Sequence, residues 1–234
     1  MKRLLLLAAL TLSGIVHAEK IAVSKTEVYF DNNENGKQTV DVFNLRPQNT
    51  TYFATRIQEV VNPEKGAKSA LVELTDPVTA GLIVTPNKSA IRPHQGQSPV
   101  TIVNINPHLE KERVYRVDVK PVVGGVDSVS DAQLKVLLGY DILVHVQPDE
   151  PVFTYSVRHD GDDVYLTNTG NTHFVMLNGE QCDSRKRCAT LPEWYLYPGV
   201  EARIPFDEDK QLARYRLIMR GQEPRNITLN KGGN

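Results

Sequence analysis

The chain has 234 residues, with 27 Lys and Arg against 28 Asp and Glu and a formal net charge of -1. That balance disfavours a polyanion partner, so nucleic-acid binding as the main activity is set aside. A hydrophobic fraction of 40% and a charged fraction of 24% fit a globular protein, and 14 Pro with 15 Gly in no repeat exclude a collagen-like chain.

The first eighteen residues read as a secretory signal. Lys2 and Arg3 form a positive start, Leu4 to Leu12 is an apolar run too short for a stable span, and Val16-His17-Ala18 ends in a small residue. Cleavage after Ala18 is expected, leaving a soluble exported chain from Glu19.

Beyond it the hydrophobic period is two. Ile21 and Val23, then Val28 and Phe30, sit at strand positions, and Thr39-Val-Asp-Val-Phe43 alternates. Tyr52 to Val61, Gly81 to Pro86, Val100 to Ile105, Val114 to Val119 and Leu134 to Val146 follow, separated by turn clusters at 31–36, 93–96 and 124–125. About seven strands in about a hundred residues suggest an immunoglobulin-type β-sandwich. Pro63 to Leu74 is the one stretch that could hold a short helix. At Gln147-Pro-Asp-Glu-Pro151 two prolines end the longest run, so a boundary is expected there. The pattern then restarts: Val152 to Val157, Val164 to Thr167, His173 to Leu177, Trp194 to Tyr197, Val200 to Phe206 and Arg214 to Met219. The expected organisation is a signal peptide at 1–18, a first domain at 19–147 and a smaller β-sandwich at 148–234, frayed at Asn230 to Asn234. An isolated Cys182 and Cys188 pair in an exported chain reads as one disulfide, which a small domain would use.

The search for reactive groups is negative. There is no Gly-x-Ser-x-Gly elbow, phosphate-cradling loop or His-Glu-x-x-His. His94, His108, His145, His159 and His173 are scattered, so neither metal nor cofactor is expected. Asp160-Gly-Asp-Asp163 is too short for a calcium loop and reads as a hairpin turn. The informative segment is Leu134 to Ile142, which puts Leu134, Val136, Leu138, Tyr140 and Ile142 on one strand face. Such a face either packs at home or pairs with another protein by strand addition. Pattern alone leaves both open.

Five segments resemble the PapD-like periplasmic fimbrial chaperones, in particular the alternate branch serving colonisation-factor and common-pilus fimbriae. They are Gly81 to Pro93, Lys111-Glu-Arg-Val-Tyr-Arg-Val117, Leu134 to Pro148, Leu166-Thr-Asn-Thr-Gly-Asn171 and Tyr195-Leu-Tyr-Pro-Gly199. The resemblance implies two immunoglobulin-like domains in a boomerang arrangement, a periplasmic location, and binding without catalysis. It implies pilus subunits as clients and an outer-membrane usher as recipient. The first-domain G strand would enter the subunit's groove through Leu134, Val136 and Leu138, with Tyr140 as an extension. An apolar strand of this kind needs capping when no subunit is present, which allows self-association.

The family's basic anchors for the subunit's C-terminal carboxylate fall on Glu27 and Leu143, neither of which can hold a carboxylate. Lys25 is the substitute, with His145 a second candidate. Glu112 falls at an interdomain ion-pair acid, but its expected basic partner is Gln147. A fimbrial subunit or adhesin is the alternative function, opposed by the early first strand and the two-domain length. An exported enzyme is a third, opposed by the missing catalytic group.

Overall fold

A computed structural model describes residues 21–31, 36–46, 48–63, 70–106, 108–122 and 137–232. The expected signal peptide, the turns within 32–35 and at Gly124-Gly125, Leu134, Val136, and the last two residues lie outside these. The first half holds β1 (Ile21–Val23), β2 (Glu27–Phe30), β3 (Lys37–Asn44), β4 (Thr51–Val61), β5 (Ala70–Glu73), α1 (Pro77–Ala80), β6 (Leu82–Thr85), β7 (Lys88–Ile91), β8 (Gln97–Asn104), β9 (Arg113–Val122) and β10 (Tyr140–Val146). One sheet runs β1-β3-β8-β6. The other runs β2-β10-β9-β4-β5, with β7 also on β4. Alternation does the work: Val40 and Val42 of β3, Ile102 of β8, Tyr115, Val117 and Val119 of β9, and Ile142 and Val144 of β10 face one shared core.

The chain changes sheets between β1 and β2. β1 pairs antiparallel with β3, and β2 pairs parallel with β10. The crossing is pinned by a reciprocal pair: the Ser24 amide donates to the Asp41 carbonyl and the Asp41 amide to Ser24 Oγ, both at 2.9 Å.

The second half continues with β11 (Tyr155–Asp160), β12 (Asp163–Asn168), β13 (Phe174–Cys182), β14 (Cys188–Thr190), β15 (Trp194–Leu196), β16 (Glu201–Ile204), β17 (Leu212–Ile218) and β18 (Arg225–Asn230). Its sheets run β11-β12-β16 and β14-β13-β17-β18, with β15 on β13. They enclose a separate core that includes Leu166, Phe174, Met176, Leu196, Tyr215 and Leu217. The fold is all-β, two immunoglobulin-like sandwiches in series. Cys182 and Cys188 are disulfide-bonded and face each other across β13 and β14. Asp160-Gly-Asp-Asp163 is the β11–β12 hairpin turn, with Gly161 at φ 59.

Of the stretch Pro63 to Leu74, residues 64–69 lie outside the described ones and Ala70–Glu73 is a strand; a helix forms at Pro77–Ala80. Its caps explain the position: Asp76 accepts from the amides of Val78 and Thr79, Pro77 opens the first turn, and Gly81 ends it at φ 70. Of the long run from Leu134, the described part begins at Leu137, and its continuous strand is Tyr140–Val146.

Candidate functional site

β10 is anchored on both edges only in part. Tyr140 to Val146 pair with Val119 to Arg113 of β9, but β2 covers only Leu143 to Val146. From Tyr140 to Ile142 the second edge of the strand carries no partner among the described residues. The inward row runs Val146, Val144, Ile142, Tyr140. The first three are buried and Tyr140 packs at the rim of the core. Counting back in the same parity reaches Leu138, which is 66% exposed. The apolar row therefore runs past the end of its own sandwich. Leu137 is 41% exposed. Gly139 lies so close to β9 that an added Cβ would meet Lys120 Cγ at 2.7 Å and the Val119 carbonyl at 3.0 Å. Only glycine lets the chain pass there.

A second constellation lies where the sandwiches meet. Glu112 precedes β9 and is buried. Its Oε1 lies 2.7 Å from His145 Nδ1 and 2.7 Å from His173 Nδ1. Its Oε2 accepts from the His173 amide at 2.7 Å and from Thr172 Oγ1 at 3.2 Å. Burial pushes the Glu112 carboxyl up, but the hydrogen bonds from His145 and then His173 outweigh it and bring it to about 2. An ionised carboxylate only accepts, so both Nδ1 atoms donate. The ligand types suit zinc. However, neighbouring ligands on a tetrahedral zinc stand about 3.3 Å apart, given Zn–N bonds of about 2.0–2.1 Å. Contacts of 2.7 Å are hydrogen bonds.

The rings form a stack. Tyr29 lies on His145 with centroids 4.7 Å apart, His145 on His173 at 4.4 Å, and the Arg220 guanidinium caps Tyr29 at 4.1 Å. Arg220 Nε also donates to Asp31 at 2.8 Å. Burial, then the carboxylates of Glu112 and Glu27, push the Tyr197 hydroxyl beside them up to about 12.

The Leu166–Asn171 motif builds the other half of the junction. The Asn171 side chain donates to the carbonyls of Glu110 and Glu150 and accepts from the Val152 amide, at 2.9, 3.0 and 2.7 Å. A Cβ at Gly170 would stand 2.0 Å from the Val152 carbonyl oxygen, so no side chain fits.

The anchor candidates fall in different places. Lys25 sits in the β1–β2 crossing, half-buried, with Nζ donating to Gln38 Oε1 at 2.8 Å. His145 is 1% exposed and committed to Glu112, so it presents no accessible cation. Glu27 and Leu143 are cross-strand neighbours. Glu112 does join the sandwiches, but through Thr172 and His173; Gln147 only reaches Thr172, at 3.5 Å. Sequence reasoning offered His145 only as a carboxylate anchor and gave His173 no role; their link to Glu112 escaped it, because 33 and 61 residues separate them from Glu112 and no spacing rule joins them.

No protein-family model matches the sequence, and no curated protein matches it. Solved structures do. The class 5 fimbriae chaperone CfaA superposes with a TM-score of 0.71 at 16% identity, covering 91% of this chain and 99% of that one. The fold is that of the PapD-like fimbrial chaperones. A complex of the Salmonella enterica SafA pilin with the SafB chaperone gives 0.59 at 14% identity, over 90% and 96%. The CsuC–CsuE chaperone–tip adhesion subunit complex of Acinetobacter baumannii gives 0.54 at 14%, over 89% and 97%. Within this chaperone fold both sandwiches are matched, since about nine-tenths of the chain superposes in each case.

Proposed function

We propose that the protein is a periplasmic chaperone that binds pilus subunits by strand donation and passes them to an outer-membrane usher. One observation carries the proposal: the inward apolar row of β10 continues beyond its own core to an exposed Leu138, on a strand whose edge from Tyr140 to Ile142 meets no partner among the described residues. A subunit groove lacking a strand would receive Leu134, Val136, Leu138 and Tyr140 in alternate pockets, while main-chain hydrogen bonds form along the open edge. Each large apolar side chain fully buried this way is worth about 1.5–3 kcal/mol before association costs. Complexes of such folds with a pilin and with a tip adhesion subunit support the client class. The first domain, 19–147, supplies the strand and 148–234 completes the cleft, after removal of residues 1–18 on export. Lys25 is the residue assigned to the client's terminal carboxylate. An unoccupied apolar strand also favours self-association until a client arrives.

The test is retention from a periplasmic extract on the tagged mature chain, followed by mass spectrometry. A pilus subunit held by the wild type and lost on combining Val136→Asp with Leu138→Asp is the expected result. Equal amounts of soluble subunit with both proteins would overturn the proposal.

A further inference from the structure

The junction between the sandwiches holds a buried carboxylate, two imidazoles in contact with it, and one ring nitrogen left without a hydrogen bond. That nitrogen is His145 Nε2. It is buried, and Glu27 Oε1 lies 3.4 Å away. We infer that the Glu112–His145–His173 cluster is a proton-operated clasp: a proton on His145 tightens the junction, and its loss loosens it.

The geometry sets the sign. With Nδ1 donating to Glu112, a neutral His145 has only a lone pair at Nε2. A carboxylate oxygen lies 3.4 Å from that nitrogen, so two acceptors are neighbours. One added proton converts the contact into an ion pair with Glu27, while Nδ1 keeps its bond to Glu112. The buried trio then carries no net charge instead of one negative charge, which suits a dry site.

The groups around the ring agree. From β2 come Glu27 and Tyr29, whose hydroxyl donates to Glu27 Oε1 at 2.8 Å. From the β9 side come Glu112 and Arg116, the latter 3.3 Å from Asp141. From the second sandwich come His173, Tyr197 and Arg220. Both carboxylates are within reach of the ring. Arg220 is separated from it by the Tyr29 ring and bonded to Asp31, and Arg116 is turned to Asp141.

The clasp is felt across the junction because Glu112 holds the His173 amide as well as its ring. Protection of that amide from hydrogen exchange, corrected for intrinsic exchange, therefore reports its state. The experiment compares the full mature chain with its Glu27→Gln variant between about pH 8 and about pH 5.5, the range in which histidine changes charge. Glu27 is half exposed, so the variant keeps the fold. Wild-type protection should rise roughly tenfold on acidification and that of the variant less than roughly threefold. Nitrogen shifts of the His145 ring should show both ring protons at the acidic end. Equal responses in the two proteins, no response in the wild type, or a ring still neutral at about pH 5.5 would each overturn the inference.

Discussion

Glu112 accepts a hydrogen bond from the backbone amide of His173 and another from its ring, although the two residues are 61 apart in sequence and lie in different sandwiches. A carboxylate held this way cannot be moved without breaking the junction. It is also too deeply buried to exchange either partner for water.

Replacing Glu112 by Ala should therefore lower stability by about 2–3 kcal/mol, the cost of leaving the buried donors of His145 and His173 without their acceptor. Denaturant unfolding measures it. A loss below about 1 kcal/mol would show that the contacts close without the carboxylate.

Acid should act through the same group. Its carboxyl stands at about 2 in the folded protein against an ordinary 4.5. A depressed carboxyl contributes stability above its unfolded value and loses it as pH falls through the folded one. Asp118 and Asp141 titrate as a pair with opposite shifts: burial pushes Asp118 up but its hydrogen bonds with Asp141, Lys120 and Arg56 hold it down, and Asp141 is pushed up by Asp118, so their contributions partly offset. Stability should fall steeply between about pH 4.5 and about pH 2, and Glu112→Gln should flatten that loss. Tyrosine fluorescence against pH gives the comparison.

Leu138 and Ile142 lie in one row, yet the first is exposed and the second fully buried. Leu138→Asp should change stability by less than about 0.5 kcal/mol, while removing client binding. Ile142→Asp should destabilise the first sandwich by more than about 4 kcal/mol, because it buries an unpaired charge. Thermal unfolding of the two variants separates the roles.

Gly170→Ala places a methyl group where the Val152 carbonyl already stands. The backbone must move, and with it the Asn171 bonds to Glu110 and Glu150. A loss of about 2 kcal/mol is expected, measured by denaturant unfolding.

Much of the fold was legible because strand alternation is a local signal. Val40, Val42, Val117 and Val119 announce their faces from their neighbours alone. The helix at Pro77–Ala80 was missed although Asp76, Pro77 and Gly81 are its signature, because four residues carry no hydrophobic period. At the site, the apolar row from Leu134 to Ile142 could be read, but where the home core ends could not. The core ends between Tyr140, packed at its rim, and the exposed Leu138, a limit set by strands distant in sequence. The His145 and His173 pairing was invisible for the opposite reason. It is made by two sandwiches meeting, and nothing near either histidine encodes the other.

The parity of β10 makes the strand a ruler calibrated by the protein's own interior. Its phase is fixed at Ile142 and Val144, and Tyr140 keeps it at the rim of the core. Inserting one residue between Leu138 and Tyr140 would leave β10 intact and turn every upstream apolar side chain to the opposite face. Inserting two would restore the face but displace the row by about 6.6 Å, at about 3.3 Å per residue. Anything that pairs with this strand is thus aligned by a core it never touches.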